Sequence, residues 1–263
     1  MNVREVLARY DRELRGNVPY FDDAVKLERD GTIVRLLGAT ADAMNNCVLF
    51  SALDAESAGA VIDGQAAYFN AQERSFEWKH HDHDAPANLR ELLLARGFIA
   101  SEPETIMAVE LSSGPAPFAA PPGYEARALE DGEGLGPLME VQNAVWPDEK
   151  LDWLHESLAR ERAARPDAIR FHAVWHDGRP VSVGWTRLQG SFAALYGGST
   201  LKEHRGKGLY RALVASRLDE ARRLGFAYGL TDAGPMSRPI LEKLGFQKLT
   251  GTTPFLHQAK PKP

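Results

Sequence analysis

The chain has 263 residues, of which 44% are hydrophobic and 25% are charged, and this composition excludes a chain that is disordered as a whole or fibrous. Its formal net charge of −5 offers no general attraction for nucleic acid or for an anionic membrane surface. Cys47 is the only cysteine, so neither an internal disulfide nor a thiolate cluster for zinc can form. No stretch has the pattern of a signal peptide or a membrane span, and we expect a cytoplasmic protein.

The first half of the chain predicts an alternation of helices and strands. Apolar periodicity and turn residues predict a helix over residues 3–14, strands over 32–37 and 46–52, a helix that Asp54 caps and that ends near residue 72, a strand over 75–79, a helix over 86–96 and a strand over 104–111. Residues 112–123 contain four prolines, which lack a backbone donor and favour a linker. We therefore predict a domain over residues 1–111, a linker over 112–123 and a second domain over 124–263.

The second half predicts a longer series of elements. These are a strand over residues 124–128, helices over 134–144 and 151–164, strands over 171–175, 181–188 and 192–201, a helix over 209–224, a strand over 226–231, a helix over 237–244 and a strand over 247–256. In the helix over 209–224 the apolar residues share one face, and the charged residues, Arg217 among them, are predicted mostly on other faces.

Both halves end in the order strand, long helix, strand, short helix, strand. The short helices also end alike, with Gly97-Phe98 in the first half and Gly245-Phe246 in the second. This order indicates a degenerate internal duplication, although a glycine followed by an apolar residue is common at helix ends in general.

Residues 199–211, STLKEHRGKGLYR, have the composition of an anion site between a strand and a helix. The glycines allow a tight turn with amides facing inward, the helix start adds unsatisfied N–H donors, and Arg205 and Lys207 add full positive charges. A diphosphate suits this set better than a carboxylate, and a solvated basic turn is the alternative. A dinucleotide fingerprint would need a third glycine where Arg211 stands, and a P-loop would need Ser or Thr directly after Lys207.

This segment resembles the coenzyme A loop of the GNAT superfamily of N-acetyltransferases, whose pattern is Arg or Gln, two residues, Gly, one residue, then Gly or Ala. The residues that match are Arg205, Gly206, Lys207, Gly208 and Leu209. Tyr210 departs from the pattern, because it replaces the last small residue. The resemblance covers about residues 123–256 and implies an α/β fold of two GNAT-like mixed-sheet units in tandem, the first degenerate.

The resemblance also implies a coenzyme and a reaction. Acetyl-CoA would be the co-substrate, with its pantetheine arm paired to the backbone of Ser199, Thr200 and Leu201 and its pyrophosphate held by the amides of residues 205–210. The acceptor would be a primary amine of a small molecule or peptide, and the alternative is a non-catalytic protein that binds or senses coenzyme A. The first half lacks the loop, since Asp54 and Glu56 occupy the corresponding turn and would repel phosphate.

The general acid is the main departure from the family. Many members carry a Tyr in the last helix at the position of Leu241, so a substitute is needed, for which we name Ser237, with Tyr210 and Tyr196 as further hydroxyls. Asp232 is the predicted base. Both Ser237 and Asp232 also suit ordinary capping roles, and proton transfer through ordered water is an alternative to both.

Trp146, Glu149 and Trp153 lie where the acceptor helices of the family are joined, and they could receive a cationic amine. Packing against the sheet is the alternative role of the two tryptophans. The run His80-His81-Asp82-His83-Asp84 lacks the spacing of a helical metal site, and we interpret it as a polar turn, with no metal predicted. Cys47 is interpreted as a packed apolar residue.

Overall fold

The computed structural model describes residues 1–18, 24–112, 118–149 and 151–259, and within them the chain is a mixed α/β protein. Its helices are α1 Val3–Tyr10, α2 Ala58–Ala71, α3 Leu89–Ala95, α4 Gly136–Val145, α5 Asp152–Ala164, α6 Leu209–Arg223 and α7 Arg238–Lys243. Its strands are β1 Lys26–Asp30, β2 Ile33–Leu37, β3 Asn46–Ser51, β4 Phe76–His81, β5 Ile99–Ala100, β6 Glu104–Glu110, β7 Tyr124–Ala128, β8 Ile169–His176, β9 Arg179–Gln189, β10 Phe192–Thr200, β11 Tyr228–Ala233 and β12 Gln247–His257.

The chain divides into two compact units, and each unit includes a short segment from the opposite end of the sequence. The N-terminal unit contains Arg4–Ile106 and the C-terminal segment that begins at Leu249, whereas the C-terminal unit contains Met1–Val3 and Met107–Lys248. The predicted domains differ from these units, because each predicted domain is one contiguous segment. An apolar pattern predicts that a strand forms, but it does not indicate which strand it pairs with. The linker stays a prediction, and its residues 113–117 lie outside the described residues.

The sheet of the N-terminal unit is built around a parallel pair. β3 and β4 run parallel, with Cys47 opposite Glu77 and Val48 opposite Trp78, and α2 connects them. β1, β2 and β3 pair antiparallel in that order, β12 pairs antiparallel with β4, and the short β5 lies beside β12. The order in this unit is therefore β1-β2-β3-β4-β12.

Aromatic side chains form much of the core of the N-terminal unit. Phe69 of α2 stacks on Phe76 of β4 with ring centroids 4.1 Å apart, and Trp78 and Phe255 are fully buried in the same cluster. Burying one such side chain contributes roughly 2–3 kcal/mol. Since the cluster also contains Leu93 of α3, it holds both helices on the sheet.

The sheet of the C-terminal unit begins with an antiparallel meander, β7-β8-β9-β10. β10 then pairs in parallel with β11 through the connection α6, and β6 lies beside β11. Leu195 and Tyr196 are successive residues of β10 and so point to opposite faces. Leu195 shares a buried cluster with Val214 of α6 and Leu241 of α7, whereas Tyr196 packs with Val141 of α4 in a separate cluster.

The tandem arrangement of GNAT-like units that the sequence predicts is confirmed. Both units contain a strand, a long helix, a parallel strand and a short helix, in that order. The short helices end in the same way, since the N–H of Phe98 donates to Leu93 O at 3.2 Å and the N–H of Phe246 donates to Leu241 O at 3.1 Å. In each case a glycine at positive φ precedes the phenylalanine, as in the Schellman motif.

Two differences from the predicted elements concern the beginning of the chain. α1 is shorter than predicted and continues as a π-helical turn over Asp11–Arg15. The predicted elements do not include β1, since its residues, KLERD, are mostly charged and do not alternate like a half-buried strand. Pairing with β2 and the ion pair of Glu28 with Arg35 hold this strand in place.

Candidate active site

The segment between β10 and α6 forms a glycine-rich turn at the start of a helix. A short 3-10 turn, Lys202–His204, follows β10, and Gly206 and Gly208 then adopt φ angles of 75° and 82°. Residues with a side chain rarely adopt this conformation, so the glycines allow the turn. Gly208 directly precedes α6, and no described side chain caps this helix start. The first N–H groups of α6 are therefore available to an anion.

In the N-terminal unit a carboxylate occupies the turn directly before α2. Asp54 Oδ1 accepts hydrogen bonds from the backbone N–H groups of Glu56 and Ser57 at 3.0 and 2.8 Å, and Oδ2 accepts one from the Ser57 hydroxyl at 2.6 Å. The bond from the Ser57 hydroxyl is the largest of the effects that lower the pKa of Asp54. A phosphate would therefore meet a negative charge before α2, whereas the start of α6 offers it N–H donors.

The two predicted cations of the loop lie beside β7 and β10. Lys207 Nζ donates to the hydroxyl of Tyr124 at 3.2 Å, and this hydroxyl is also 3.1 Å from Nδ1 of His204. The Tyr124 ring stacks on His176 with centroids 4.4 Å apart. Arg205 Nε donates to a carbonyl of β10 at 3.1 Å. Tyr124 is not among the predicted site residues, because nothing in a short strand far away in the sequence indicates its contact with the loop.

β10 and β11 separate beside this loop. Their parallel ladder runs only from Phe192 opposite Tyr228 to Ala194 opposite Leu230, although both strands continue beyond it. Where the ladder ends, Thr231 Oγ1 donates to a carbonyl of β10 at 3.0 Å. The parting of the two strands that the sequence resemblance implies is therefore present, and beyond Ala194 none of the described strands pairs with this side of β10.

A β-bulge interrupts β10 next to this gap. Gly197 and Gly198 together oppose the single residue Gly184 of β9. Gly197 has a φ of 60°, and a Cβ added to it would lie 1.7 Å from the Trp185 ring, so only glycine fits. A bulge takes peptide groups out of the regular ladder, which allows them to serve another partner.

α4 contributes side chains that hold the bulge from one face. Gln142 is only 4% exposed, and its Nε2 donates to Gly197 O at 2.7 Å while its Oε1 accepts from the Ser199 hydroxyl at 3.2 Å. The Ser199 hydroxyl in turn accepts from Trp146 Nε1 at 3.2 Å. Gln142 is not among the predicted site residues. Its only signal in the sequence is an amide beside the apolar Val141, on a helix predicted to pack on the sheet.

Arg217 of α6 holds the bulge from the other face. It is 2% exposed, and its Nη1 donates to Trp185 O at 3.1 Å and to Tyr196 O at 2.9 Å. Burial lowers the pKa of Arg217 to about 10, so the guanidinium is still protonated near neutral pH. The prediction that this residue lies away from the buried face of α6 is wrong. Gly184 makes room for it, because a Cβ there would lie 2.4 Å from Nη1.

Two tyrosines flank the bulge. The Tyr210 ring would lie 2.6 Å from a Cβ on Gly198, and burial raises the pKa of its phenol while the charge of Arg217 opposes that rise. Tyr196 stacks on Trp185 with centroids 6.4 Å apart. Tyr210, the departure from the family pattern, is therefore in contact with the strand that borders the gap.

The predicted acid and base lie near the ends of β11 and α7. Ser237 is the residue before α7, and its hydroxyl donates to Gly234 O at 3.3 Å, which closes the turn. Asp232 is an exposed residue of β11. Leu241, at the position where many family members carry the tyrosine, is fully buried in the core cluster, as is usual for an apolar side chain. The catalytic roles of Ser237 and Asp232 stay predictions.

The predicted acceptor residues lie between α4 and α5. Trp146 is 50% exposed and reaches Ser199 through its indole N–H, so this tryptophan is not a core side chain. Glu149 is exposed, and its backbone N–H donates to Trp146 O at 3.1 Å. Trp153 in α5 is partly exposed. Residue 150 lies outside the described residues.

The histidine run of the N-terminal unit takes part in hydrogen bonds and ion pairs. His81 Nε2 is 2.9 Å from the Tyr10 hydroxyl, His83 Nε2 is 2.8 Å from an Asp11 oxygen, and Asp84 pairs with Arg15. Among the described residues no group of three or more His, Cys, Asp or Glu side chains could hold a metal ion. Burial raises the pKa of the Cys47 thiol to about 12. In the described parts of the chain no helix is both long and apolar enough to cross a membrane.

The parallel strand pair that parts beside a glycine-rich helix start, in a chain of two such units, is a fold of the tandem GNAT type. Residues 138–246 match the model of the Acetyltransferase (GNAT) family, so the C-terminal unit contains a GNAT domain. No curated protein matches the chain.

Three solved structures of this fold extend over both units. A GCN5-related N-acetyltransferase from Kribbella flavida is similar with a TM-score of 0.72 and 16% identity, over 98% of this chain and 96% of that one. A tandem GNAT protein from the clavulanic acid biosynthesis pathway has a TM-score of 0.66 and 16% identity, over 100% and 89%. A GCN5-related N-acetyltransferase from Sphaerobacter thermophilus has a TM-score of 0.68 and 12% identity, over 99% and 86%. At these identities the likeness is one of fold.

Proposed function

We propose that this protein is an N-acetyltransferase that moves the acetyl group of acetyl-CoA directly to a primary amine of a small molecule or peptide. The observation that carries the proposal is the helix start at Gly208, which no described side chain caps and which lies beside the gap between β10 and β11. A pyrophosphate needs N–H donors and positive charge, and a thioester arm needs a strand edge that is free to pair. Both are adjacent in the C-terminal unit.

The residues of the loop fit the coenzyme. The amides of residues 205–210 would hold the pyrophosphate, and no described atom lies within 4 Å of a Cβ built on Gly206, so a phosphate can approach the backbone there. Arg205 and Lys207 would add charge. The backbone of Ser199, Thr200 and Leu201, on the far side of the bulge, would pair with the amides of the pantetheine arm.

Acetyl transfer requires that the amine nitrogen attack the thioester carbonyl carbon and that the carbon–sulfur bond break. Negative charge develops first on the carbonyl oxygen and then on the departing sulfur, while the amine loses a proton. The peptide groups of the bulge are suited to the first charge, because they lie at the gap and outside the ladder. The sulfur needs a proton, for which Ser237 and Tyr210 are the proposed donors, and Asp232 or ordered water would accept the proton of the amine.

The acceptor amine would enter between α4 and α5. The half-exposed ring of Trp146 is hydrogen-bonded to Ser199, so an amine that contacts this ring is close to the strand beside which the acetyl group would lie. Trp153 and the exposed carboxylate of Glu149 complete the proposed acceptor residues. An aromatic ring next to a carboxylate favours a cationic amine over a neutral or anionic acceptor.

Two measurements test the proposal. Calorimetry with acetyl-CoA should show saturable binding, and release of free thiol should accelerate with at least one member of a panel of polyamines, aminoglycosides, amino acids and peptides with a free N-terminus. Binding without transfer to any amine would favour the alternative, a protein that binds or senses coenzyme A. Absence of binding would contradict both functions.

A further inference from the structure

Two buried side chains donate hydrogen bonds to successive carbonyls of the bulge, one from each face of the sheet. Arg217 Nη1 donates to Tyr196 O at 2.9 Å, and Gln142 Nε2 donates to Gly197 O at 2.7 Å. Both side chains are buried almost completely. In a regular sheet the carbonyls of a strand accept hydrogen bonds from neighbouring strands. At the bulge two consecutive carbonyls accept hydrogen bonds from side chains instead, which sets these peptide groups apart from the rest of β10.

The charge of Arg217 is unusual for a buried group. Within the described residues no carboxylate lies within ion-pair distance of its guanidinium, and its Nε has no hydrogen-bond partner. A buried cation without a counter-ion lowers the stability of the folded protein. An apolar side chain would fill this position at less cost, so stability alone does not account for an arginine here.

The two bonds act on the peptide groups that follow in the chain. The carbonyl of Tyr196 shares a peptide group with the N–H of Gly197, and the carbonyl of Gly197 shares one with the N–H of Gly198. A carbonyl that accepts a strong hydrogen bond polarises its peptide group, and the N–H of the same group becomes a better donor. Arg217 and Gln142 therefore favour strong N–H donors at both glycines of the bulge.

We propose that Gln142 and Arg217 are positioning residues for acyl transfer, which hold and polarise the bulge so that the N–H groups of Gly197 and Gly198 stabilise negative charge on the thioester carbonyl oxygen. This inference rests on the proposed function, since it needs the acetyl group at the gap. Neither side chain would touch the reacting atoms. Each acts through a peptide group of β10.

The test measures the carbonyl itself and needs no acceptor. Acetyl-CoA labelled with ¹³C in the acetyl carbonyl is bound to the protein, and isotope-edited infrared spectra compare the carbonyl stretch in the bound and free states. With the wild-type protein we expect a shift to lower frequency on binding, because donors to the oxygen weaken the carbonyl bond. With Gln142→Met or Arg217→Met that shift should fall to about half or less, and Arg217→Lys, which keeps the charge, should retain more of it than Arg217→Met.

The chain offers a matched control. Gln65 of α2, in the N-terminal unit, is also a buried glutamine and is 5% exposed. Its Oε1 accepts a hydrogen bond from Arg35 of the same unit at 3.1 Å. Gln65→Met should change thermal stability by an amount similar to Gln142→Met and leave the carbonyl shift unchanged. With an active acceptor, Gln142→Met should lower kcat about tenfold, while the affinity for coenzyme A without the acetyl group changes little.

The outcomes separate the inference from the function on which it rests. A wild-type protein that does not bind acetyl-CoA would overturn both. A carbonyl shift of wild-type size in Gln142→Met and Arg217→Met would overturn only the positioning role. If Arg217→Met does not fold, Gln142→Met still decides the question, because it removes one of the two donors without removing a charge.

Discussion

Individual glycines give the proposed coenzyme loop its conformation. Gly208→Glu would place a side chain at a φ of 82° and a carboxylate where phosphate is expected, so we predict that the affinity for acetyl-CoA falls by about tenfold or more, which is about 1.4 kcal/mol. Gly225→Glu is the matched control, because Gly225 lies at the other end of α6 at a φ of 87° with no described atom near its Cβ position. Calorimetry should show normal affinity for Gly225→Glu. Equal loss in both variants would mean that backbone strain, and not the loop, governs binding.

Proton donation to the sulfur is a second question at this scale. The Ser237 hydroxyl already donates to Gly234 O, whereas the buried Tyr210 phenol lies near Arg217 and in contact with the bulge. We predict that Ser237→Ala changes kcat by less than about twofold and that Tyr210→Phe lowers kcat and kcat/KM together, as expected for a group used only in the transition state. Steady-state kinetics of both variants across pH would check this. A large loss in Ser237→Ala alone would assign the acid to Ser237.

At the scale of elements, the starts of α2 and α6 differ in a way that predicts stoichiometry. Asp54 accepts the N–H groups of Glu56 and Ser57 in the turn directly before α2, whereas no described side chain accepts an N–H group at the start of α6. We therefore predict one acetyl-CoA per chain. Calorimetry on the full chain should give a stoichiometry near one, and Gly208→Glu should weaken the whole of it. A second equivalent that survives this substitution would show that the N-terminal unit binds coenzyme after all.

The full chain is the right sample for that measurement. β12 comes from the end of the sequence and pairs with β4, so a cut at the predicted linker would leave the N-terminal unit without this strand. Binding to an isolated half would therefore report on an incomplete sheet.

At the scale of the whole molecule, buried histidines make stability depend on pH. Burial lowers the pKa of His81 to about 2 and that of His172 to about 3, whereas in the unfolded chain both return to the ordinary value near 6.5. Below pH 6.5 the unfolded state takes up protons that the folded state does not, so stability falls as the pH falls toward the folded pKa values. At pH 5 we expect a loss of about 2 kcal/mol from His81 and a smaller loss from His172, because His172 Nε2 lies 3.2 Å from a Glu220 carboxylate oxygen, which favours its protonated form.

Urea unfolding between pH 7.5 and 5 would measure this loss. His81→Gln cannot take up the proton, so it should make the dependence on pH shallower even if it lowers stability at pH 7. A free energy of unfolding that is constant over this range would contradict the burial of neutral histidines.

Local sequence patterns predicted most of the order of elements, the proposed coenzyme loop and the lack of a comparable loop in the first half. These are local properties, since Gly206 and Gly208 permit a turn that other residues rarely adopt, and Asp54 caps the helix that follows it. The sequence pattern also predicted most helices and strands, because one face of each is apolar.

The contacts between side chains that are distant in sequence depend on how the helices and strands pack together. Gln142 and Arg217 converge on one bulge from two helices, and no local pattern indicates that a buried arginine will find its partners in backbone carbonyls. The pairing of β12 with β4 of the N-terminal unit was not predictable for the same reason. The pattern of a strand shows which of its faces is buried, but not which strand it pairs with. The sequence could therefore predict the glycine-rich turn of the proposed loop, but not the side chains that surround the proposed reaction.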